Sequence, residues 1–276
     1  MKKLLSFVLM SLLAINTYAQ EEEVLSKKGQ PVLPKAGDFG IGLEAKPYLE
    51  FLGNMFNGKT NNTISPSSQT IHLRYFLTDN SAVKLNVTIN NSTTKNLYYV
   101  QDDAAIAVDP NSNAQVEDMR TRFYRSTSFN AGYQQFRGYG RLRGFYGAQA
   151  TYTHSTSRYA YEYGNQMTAA NPRPTTYQGR SSERTLETRD GNYNSLTAGL
   201  YGGIEYYFIP KACFGAEVSV NYGYGWESQG FRVYETMVGD QRVEMDKPTS
   251  PGDINRSFKT TGASSTYAGL YVMFHF

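Results

Sequence analysis

The chain has 276 residues, with 27 lysines and arginines against 24 aspartates and glutamates, a formal charge of +3. That balance leaves no basic footprint for nucleic acid, and the single Cys213 excludes an internal disulfide or a cysteine metal cluster. The abundance of Tyr (23), Phe (15) and Gly (25) points to β-structure with aromatic belts rather than to Leu-rich helices.

In chain order, residues 1–19 read as a signal peptide. Met1-Lys2-Lys3 is a basic start, Leu4 to Ile15 is apolar, and Thr17-Tyr18-Ala19 offers small residues at −3 and −1 for cleavage. The apolar run is shorter than the roughly 20 residues of a spanning helix. Cleavage removes Lys2 and Lys3 and lowers the charge from +3 to +1. No Cys follows Ala19, which disfavours a lipid anchor. Residues 20–37, polar and carrying Pro31 and Pro34, read as a flexible periplasmic tail.

Residues 38–276 read as one β-domain, because side chains alternate with a period of two. Phe39, Ile41, Leu43 and Ala45 share a face opposite Gly40, Gly42, Glu44 and Lys46, and Pro47 suggests a bulge, with ambiguous alternation through Phe56. Ile71, Leu73, Tyr75 and Leu77 oppose His72, Arg74 and Phe76; Val83, Leu85, Val87 and Ile89 oppose Lys84, Asn86, Thr88 and Asn90. Further strands follow around Phe129–Gln134, Leu142–Thr153, Ser195–Phe208 and Phe214–Trp226. In the last strand Phe276, Phe274, Val272, Leu270 and Ala268 form an apolar face, against His275, Met273, Tyr271 and Gly269.

The connections alternate. Thr78-Asp79-Asn80, Arg137-Gly138-Tyr139-Gly140 and Ile209-Pro210-Lys211 are tight turns, whereas residues 57–68, 91–125, 155–193 and 227–258 are long. Eight strands with that layout predict an all-β, eight-stranded antiparallel up-and-down transmembrane β-barrel. Its short turns and both termini are periplasmic and its long loops extracellular. Within those loops, Phe231–Val238 with Gln241–Met245 reads as a hairpin around Gly239-Asp240; Ala105–Val108 with Gln115–Arg122 reads as another. Tyr159, Tyr161 and Tyr163 continue the fifth strand beyond the bilayer.

The polar faces carry Glu44, Arg74, Lys84, Arg143, Glu205 and Glu217 in one zone. An eight-stranded barrel is just wide enough for side chains to fill, and buried charges must pair. These six therefore predict an ion-pair plug, with Arg143–Glu205 and Glu44–Arg74 as pairs on adjacent strands. For hydrolysis, a nucleophile needs a base. His154 lies beside Ser155 and Ser157, but Thr156 stands where a His-x-Ser pair needs serine, so no catalytic site is read. No cofactor or metal site is read either, and there is no calcium loop or phosphate cradle.

The terminal Phe276 with its alternating partners resembles the final strand of bacterial outer-membrane barrels. Gly37–Ala45 with Gly53-Asn54, Arg74–Ala82 and Gly138–Ala148 resemble the small outer-membrane barrel proteins of Bacteroidetes-type bacteria, similar in architecture to the OmpX/OmpA-like transmembrane domain. The resemblance covers about Asp38–Phe276 and implies that Phe276, Phe274, Val272, Leu270 and Gly269 form the signal read by the barrel assembly machinery. It implies outer-membrane lipid and lipopolysaccharide as surroundings, and an extracellular or outer-membrane protein as partner. The functional expectation is a non-enzymatic structural or adhesive barrel working through its loops. The alternatives are a narrow porin or accessory barrel of a transport or assembly complex, and an outer-leaflet lipid A or peptide hydrolase.

Overall fold

The computed structural model describes residues 24–45, 69–261 and 269–276. The leader, the Pro47 bulge, the 57–68 connection and Ala268 lie outside the described residues. Most of the chain is strand: β1 (Phe39–Glu44), β2 (Gln69–Thr78), β3 (Ser81–Gln101), β4 (Gln115–Tyr139), β5 (Leu142–Glu162), β6 (Thr175–Thr176) and β7 (Gly179–Arg180). There follow β8 (Glu183–Arg189), β9 (Tyr193–Ile209), β10 (Ala212–Glu227), β11 (Gly230–Val238), β12 (Gln241–Ser250), β13 (Asp253–Thr261) and β14 (Gly269–His275). A short helix, α1 (Asp103–Val108), caps the β3–β4 hairpin.

Antiparallel pairing closes a ring of eight strands in the order β1-β2-β3-β4-β5-β9-β10-β14, with β14 returning to β1. Closure is zipped at the chain end: Phe39 and Phe276 exchange backbone hydrogen bonds of 3.1 and 2.8 Å. These are the eight strands expected from the alternation. Their registers place one alternating set outward, where Ile41, Leu85, Phe129, Tyr152, Leu200, Val220 and Phe274 are all exposed. The other set points inward, and Arg74, Lys84, Gln134, Arg143 and Glu205 are all buried there. The ring is thus oily outside and polar inside, the reverse of the usual burial of apolar side chains.

All three tight turns close hairpins at one end, here called the base. Lys211 takes a left-handed φ of 56°, costly for a non-glycine residue. Its N–H donates to the Val32 carbonyl at 2.8 Å and its Nζ meets Asp38 at 2.8 Å, which offsets that cost.

Two expectations need correction. Residues 20–37 were expected to be flexible, but the described part, 24–37, folds back against the base. Val32 is fully buried beside Phe76, Phe136, Tyr207, Cys213 and Met273, and the Ala36 N–H donates to Asp79 at 2.8 Å. Composition marked the segment as polar, yet Val32, with Val24 and Leu33 packed against the same cluster, and a few backbone bonds hold it. The expected strand at Ala105–Val108 is helical instead. Asp102 caps it by accepting from the Ala104 and Ala105 N–H groups, and an Ala-rich run favours helix over strand. The β3–β4 pairing runs instead from Ser81↔Gln135 to Gln101↔Gln115.

The long connections are largely strand. At the end opposite the base, β3, β4 and β5 continue beyond the ring and are joined by β8, β11 and β12. The expected β11–β12 hairpin forms, with Gly239 at φ 61° in its turn. β13 takes the upper edge of β10 and β14 its lower edge. We call this strand extension the crown.

Val32→Asp should expel the base segment, because an unpaired carboxylate there costs several kcal/mol. Tryptic cleavage at Lys35 should accelerate about tenfold or more while the ring strands stay intact; an unchanged rate would show that Val32 does not anchor the segment.

Candidate functional site

The ring interior is layered. At the base, Phe76, Phe136, Phe145, Tyr207, Cys213, Tyr271 and Met273 pack with Val32. Above them lie the charges. Arg74 Nη1 is 2.7 Å from Glu205 Oε1, and both side chains are almost wholly buried. Glu205 also accepts from Tyr271 at 2.5 Å and Tyr207 at 3.0 Å. Lys84 Nζ donates to both Glu217 oxygens at 2.8 Å and sits 3.4 Å from the Tyr201 ring centroid. Higher still is a layer of amides and hydroxyls: His72, Asn86, Asn130 and Thr151 form one chain, Gln149, Asn221 and Ser219 another.

All six expected interior charges lie in or beside this zone, but the expected pairs do not form. Arg143 and Glu205 are register partners on adjacent strands. Arg143 nevertheless reaches toward the base, donating to Asp79 O at 2.9 Å and Asn80 Oδ1 at 2.6 Å, with its guanidinium 4.7 Å from the Phe136 ring centroid. Glu44 approaches His72 at 3.9 Å, not Arg74. Both formed pairs, Arg74–Glu205 on β2 and β9 and Lys84–Glu217 on β3 and β10, join strands four places apart around a ring of eight. They cross the interior instead of running along its wall. A ring this narrow brings long side chains from opposite strands together.

Close packing of this layer depends on glycine. A Cβ at Gly215 would lie 2.2 Å from Tyr271 Cζ, and one at Gly203 would lie 2.4 Å from Phe145 Cζ. The small residues of β9 and β10 thus give the aromatic rings their space.

The apolar row of the terminal strand lies outward: Phe274 and Phe276 are exposed and Leu270 and Val272 half-buried. Gly269 pairs with Glu217 at the upper end of β14. His154 also faces outward, bonded to Asn194 at 2.8 Å, while Ser155 faces inward and bonds Ser126 at 2.8 Å. Neighbours along a strand point to opposite faces, so no His–Ser pair forms there.

The crown holds polar residues that alternation alone did not single out. Asp118 is buried and accepts from the Gly164 and Tyr177 N–H groups at 3.0 and 2.9 Å. Asp103 accepts from Thr175, Asn171 and Arg180. Burial pushes its carboxyl pKa up, but these donors outweigh it and hold the pKa below the usual carboxylate value. Asn165 ties together Asp103, Gln101 and Thr175. Arg184 pairs with buried Glu235, which also accepts from Arg242 at 3.1 Å. Tyr98 stacks on Tyr177 at 4.3 Å. These contacts join segments distant in the chain; the one local signal was Asp102-Asp103 before an Ala-rich run.

The chain matches no protein-family model and no curated protein.

Glu205→Ala should cost about 3–5 kcal/mol by stranding Arg74, and the Arg74→Met/Glu205→Leu double variant should recover most of it in urea unfolding. Gly215→Ala should cost about 1–3 kcal/mol. In the crown, the depressed Asp103 pKa means its contribution is present above the unfolded carboxylate value and is lost as pH falls through the folded one. Asp103→Asn should therefore speed tryptic cleavage at Arg180, which donates to Asp103 and precedes Ser181, at neutral pH by about tenfold, matching a loss of about 1.5 kcal/mol; equal rates would separate Asp103 from crown order.

Proposed function

We propose that this chain is an integral β-barrel of the bacterial outer membrane, closed to solutes, non-enzymatic, with the crown as its working surface. The observation that carries the reading is the inverted burial: a continuous exposed apolar wall around a polar, charged interior. Water gives no reason to expose such a wall, whereas hydrocarbon does, and a closed ring leaves no unpaired strand edge within it. Along β5 the outward row runs from Leu142 to Tyr152, with both ends exposed. Ten residues at about 3.3 Å each, tilted about 40°, give a wall of roughly 25 Å, the height of an outer-membrane apolar band. Aromatic residues mark both ends: Phe208 and Phe214 near the base, Tyr224 and Trp226 toward the crown. In this reading the base is periplasmic and the crown extracellular, and the cleaved leader delivers the chain for assembly through Phe276 and its row.

The cross-interior ion pairs and the Val32 layer support a closed interior over a narrow porin. The crown supports an adhesive or structural role, because its strands are locked by buried charge pairs instead of being left as loose loops. One observation favours an accessory-subunit reading. Among the described residues β12 pairs only with β11, and β13 only with β10. Edges that no described residue pairs would offer backbone hydrogen bonds to a protein partner.

Reconstitution tests both parts of the proposal. The protein should resist urea extraction from vesicles and leave them impermeable to small sugars, while Arg74→Ala/Lys84→Ala should admit them. Extraction of the wild type would remove the membrane reading, and wild-type permeability would replace the closed barrel with the porin.

A further inference from the structure

The outer face of β4 and β5 changes character just above the apolar wall. Val87, Phe129 and Tyr152 form one outward rung, and Ile89, Thr127 and His154 the next. The rung above is Asn91, Arg125 and Thr156, and the one after it is Thr93, Phe123, Arg158 and Arg189. Three arginines thus occupy two successive rungs. They line a cleft of about 500 Å³ together with Asn91, Thr93, Thr156 and Asn192.

The charges there are not laid out for stability. Arg158 and Arg189 are direct cross-strand partners, and like charges in that position repel. Glu187 lies between them, 3.7 Å from Arg158 and in contact with Arg189. Arg125 has no carboxylate partner among the described residues. One carboxylate against three guanidiniums leaves a formal excess of two positive charges. The Arg158 guanidinium lies 4.6 Å from the Phe123 ring centroid, which fixes one wall of the cleft. All three arginines are exposed.

We propose that this cleft binds the phosphorylated headgroup of an anionic membrane glycolipid. The proposal rests on the membrane reading for the source of the ligand, since the cleft sits where headgroups would meet the wall. Arginine forks match phosphate oxygens two at a time, and Asn91, Thr93, Thr156 and Asn192 supply the hydroxyl and amide groups that sugar hydroxyls require. Acyl chains would descend over the outward row that begins at Ile89, Phe129 and Tyr152.

The test uses the full chain in detergent micelles, so that headgroup affinity is read apart from bilayer embedding, which the urea-extraction assay reads on its own. Native mass spectrometry compares three probes: a bisphosphorylated diglucosamine lipid, the same lipid without phosphates, and inorganic phosphate. The wild type should hold the bisphosphorylated lipid about tenfold or more tightly than the dephosphorylated one. R125Q/R158Q/R189Q should lose that preference, and Glu187→Gln, which removes the competing carboxylate, should strengthen it. Equal binding of both lipids, or an unchanged preference in the triple variant, would overturn the proposal. Inorganic phosphate that displaces the lipid at equal concentration would overturn the lipid as its source.

Discussion

The meeting of Arg74 and Glu205 across the interior sets the terms for the rest of the ring. The two side chains come from β2 and β9, on opposite sides, and both are almost wholly removed from solvent. Two ions in that position cost several kcal/mol each unless every oxygen and N–H finds company. The neighbours supply most of it: Tyr207 and Tyr271 donate to Glu205, Arg74 Nη2 donates to the Tyr271 hydroxyl at 3.3 Å, and the Phe136 and Tyr271 rings flank the guanidinium at 5.2 and 5.9 Å, while Arg74 Nε makes no hydrogen bond. Glycine at positions 203 and 215 makes room for the rings, and the chain's own Val32 seals the layer from below. Each feature is a consequence of placing charge in a narrow ring.

The same inversion governs the outside. With polar groups spent on the interior, the wall is left to Leu, Val, Ile, Tyr and Phe, and in the proposed reading that apolar surface faces lipid. Toward the crown, polar side chains return on the outer face at the level of Asn194 and the Arg125, Arg158 and Arg189 rungs. The crown then switches back to ordinary logic, with the half-buried carboxylate of Asp103 and the buried ones of Asp118 and Glu235 all paired or hydrogen-bonded. In that reading one continuous set of strands serves two environments, and the change of environment is written in which face is polar.

Period-two alternation made all eight ring strands and their inward and outward sets legible in the sequence, because a two-faced strand must repeat every second residue. The tight turns were legible from Asp79-Asn80, Gly140 and Pro210-Lys211. Charge pairing was not. Adjacent strands suggested Arg143–Glu205, but pairing follows the ring's diameter and the reach of each stem, which no local pattern encodes. Val32 was hidden because the two apolar residues between Pro31 and Pro34, Val32 and Leu33, are too few to give a periodicity. Ala105–Val108 was misread because short apolar runs suit either helix or strand, and the Asp102 cap decides between them. The crown's Asp118, Asn165, Arg184 and Glu235 act through contacts between segments far apart in the chain, so their roles emerge only in the folded register.

The central claim is that the outward row faces lipid and the inward row does not. Spin labels placed singly at Val218, Ser219, Val220, Asn221 and Tyr222 of β10 in lipid vesicles would test it most directly. The account predicts that accessibility to dissolved oxygen peaks at 218, 220 and 222 and drops at 219 and 221, with no access of a water-soluble nickel reagent to the peaks. A flat profile, or nickel access at the outward positions, would contradict it.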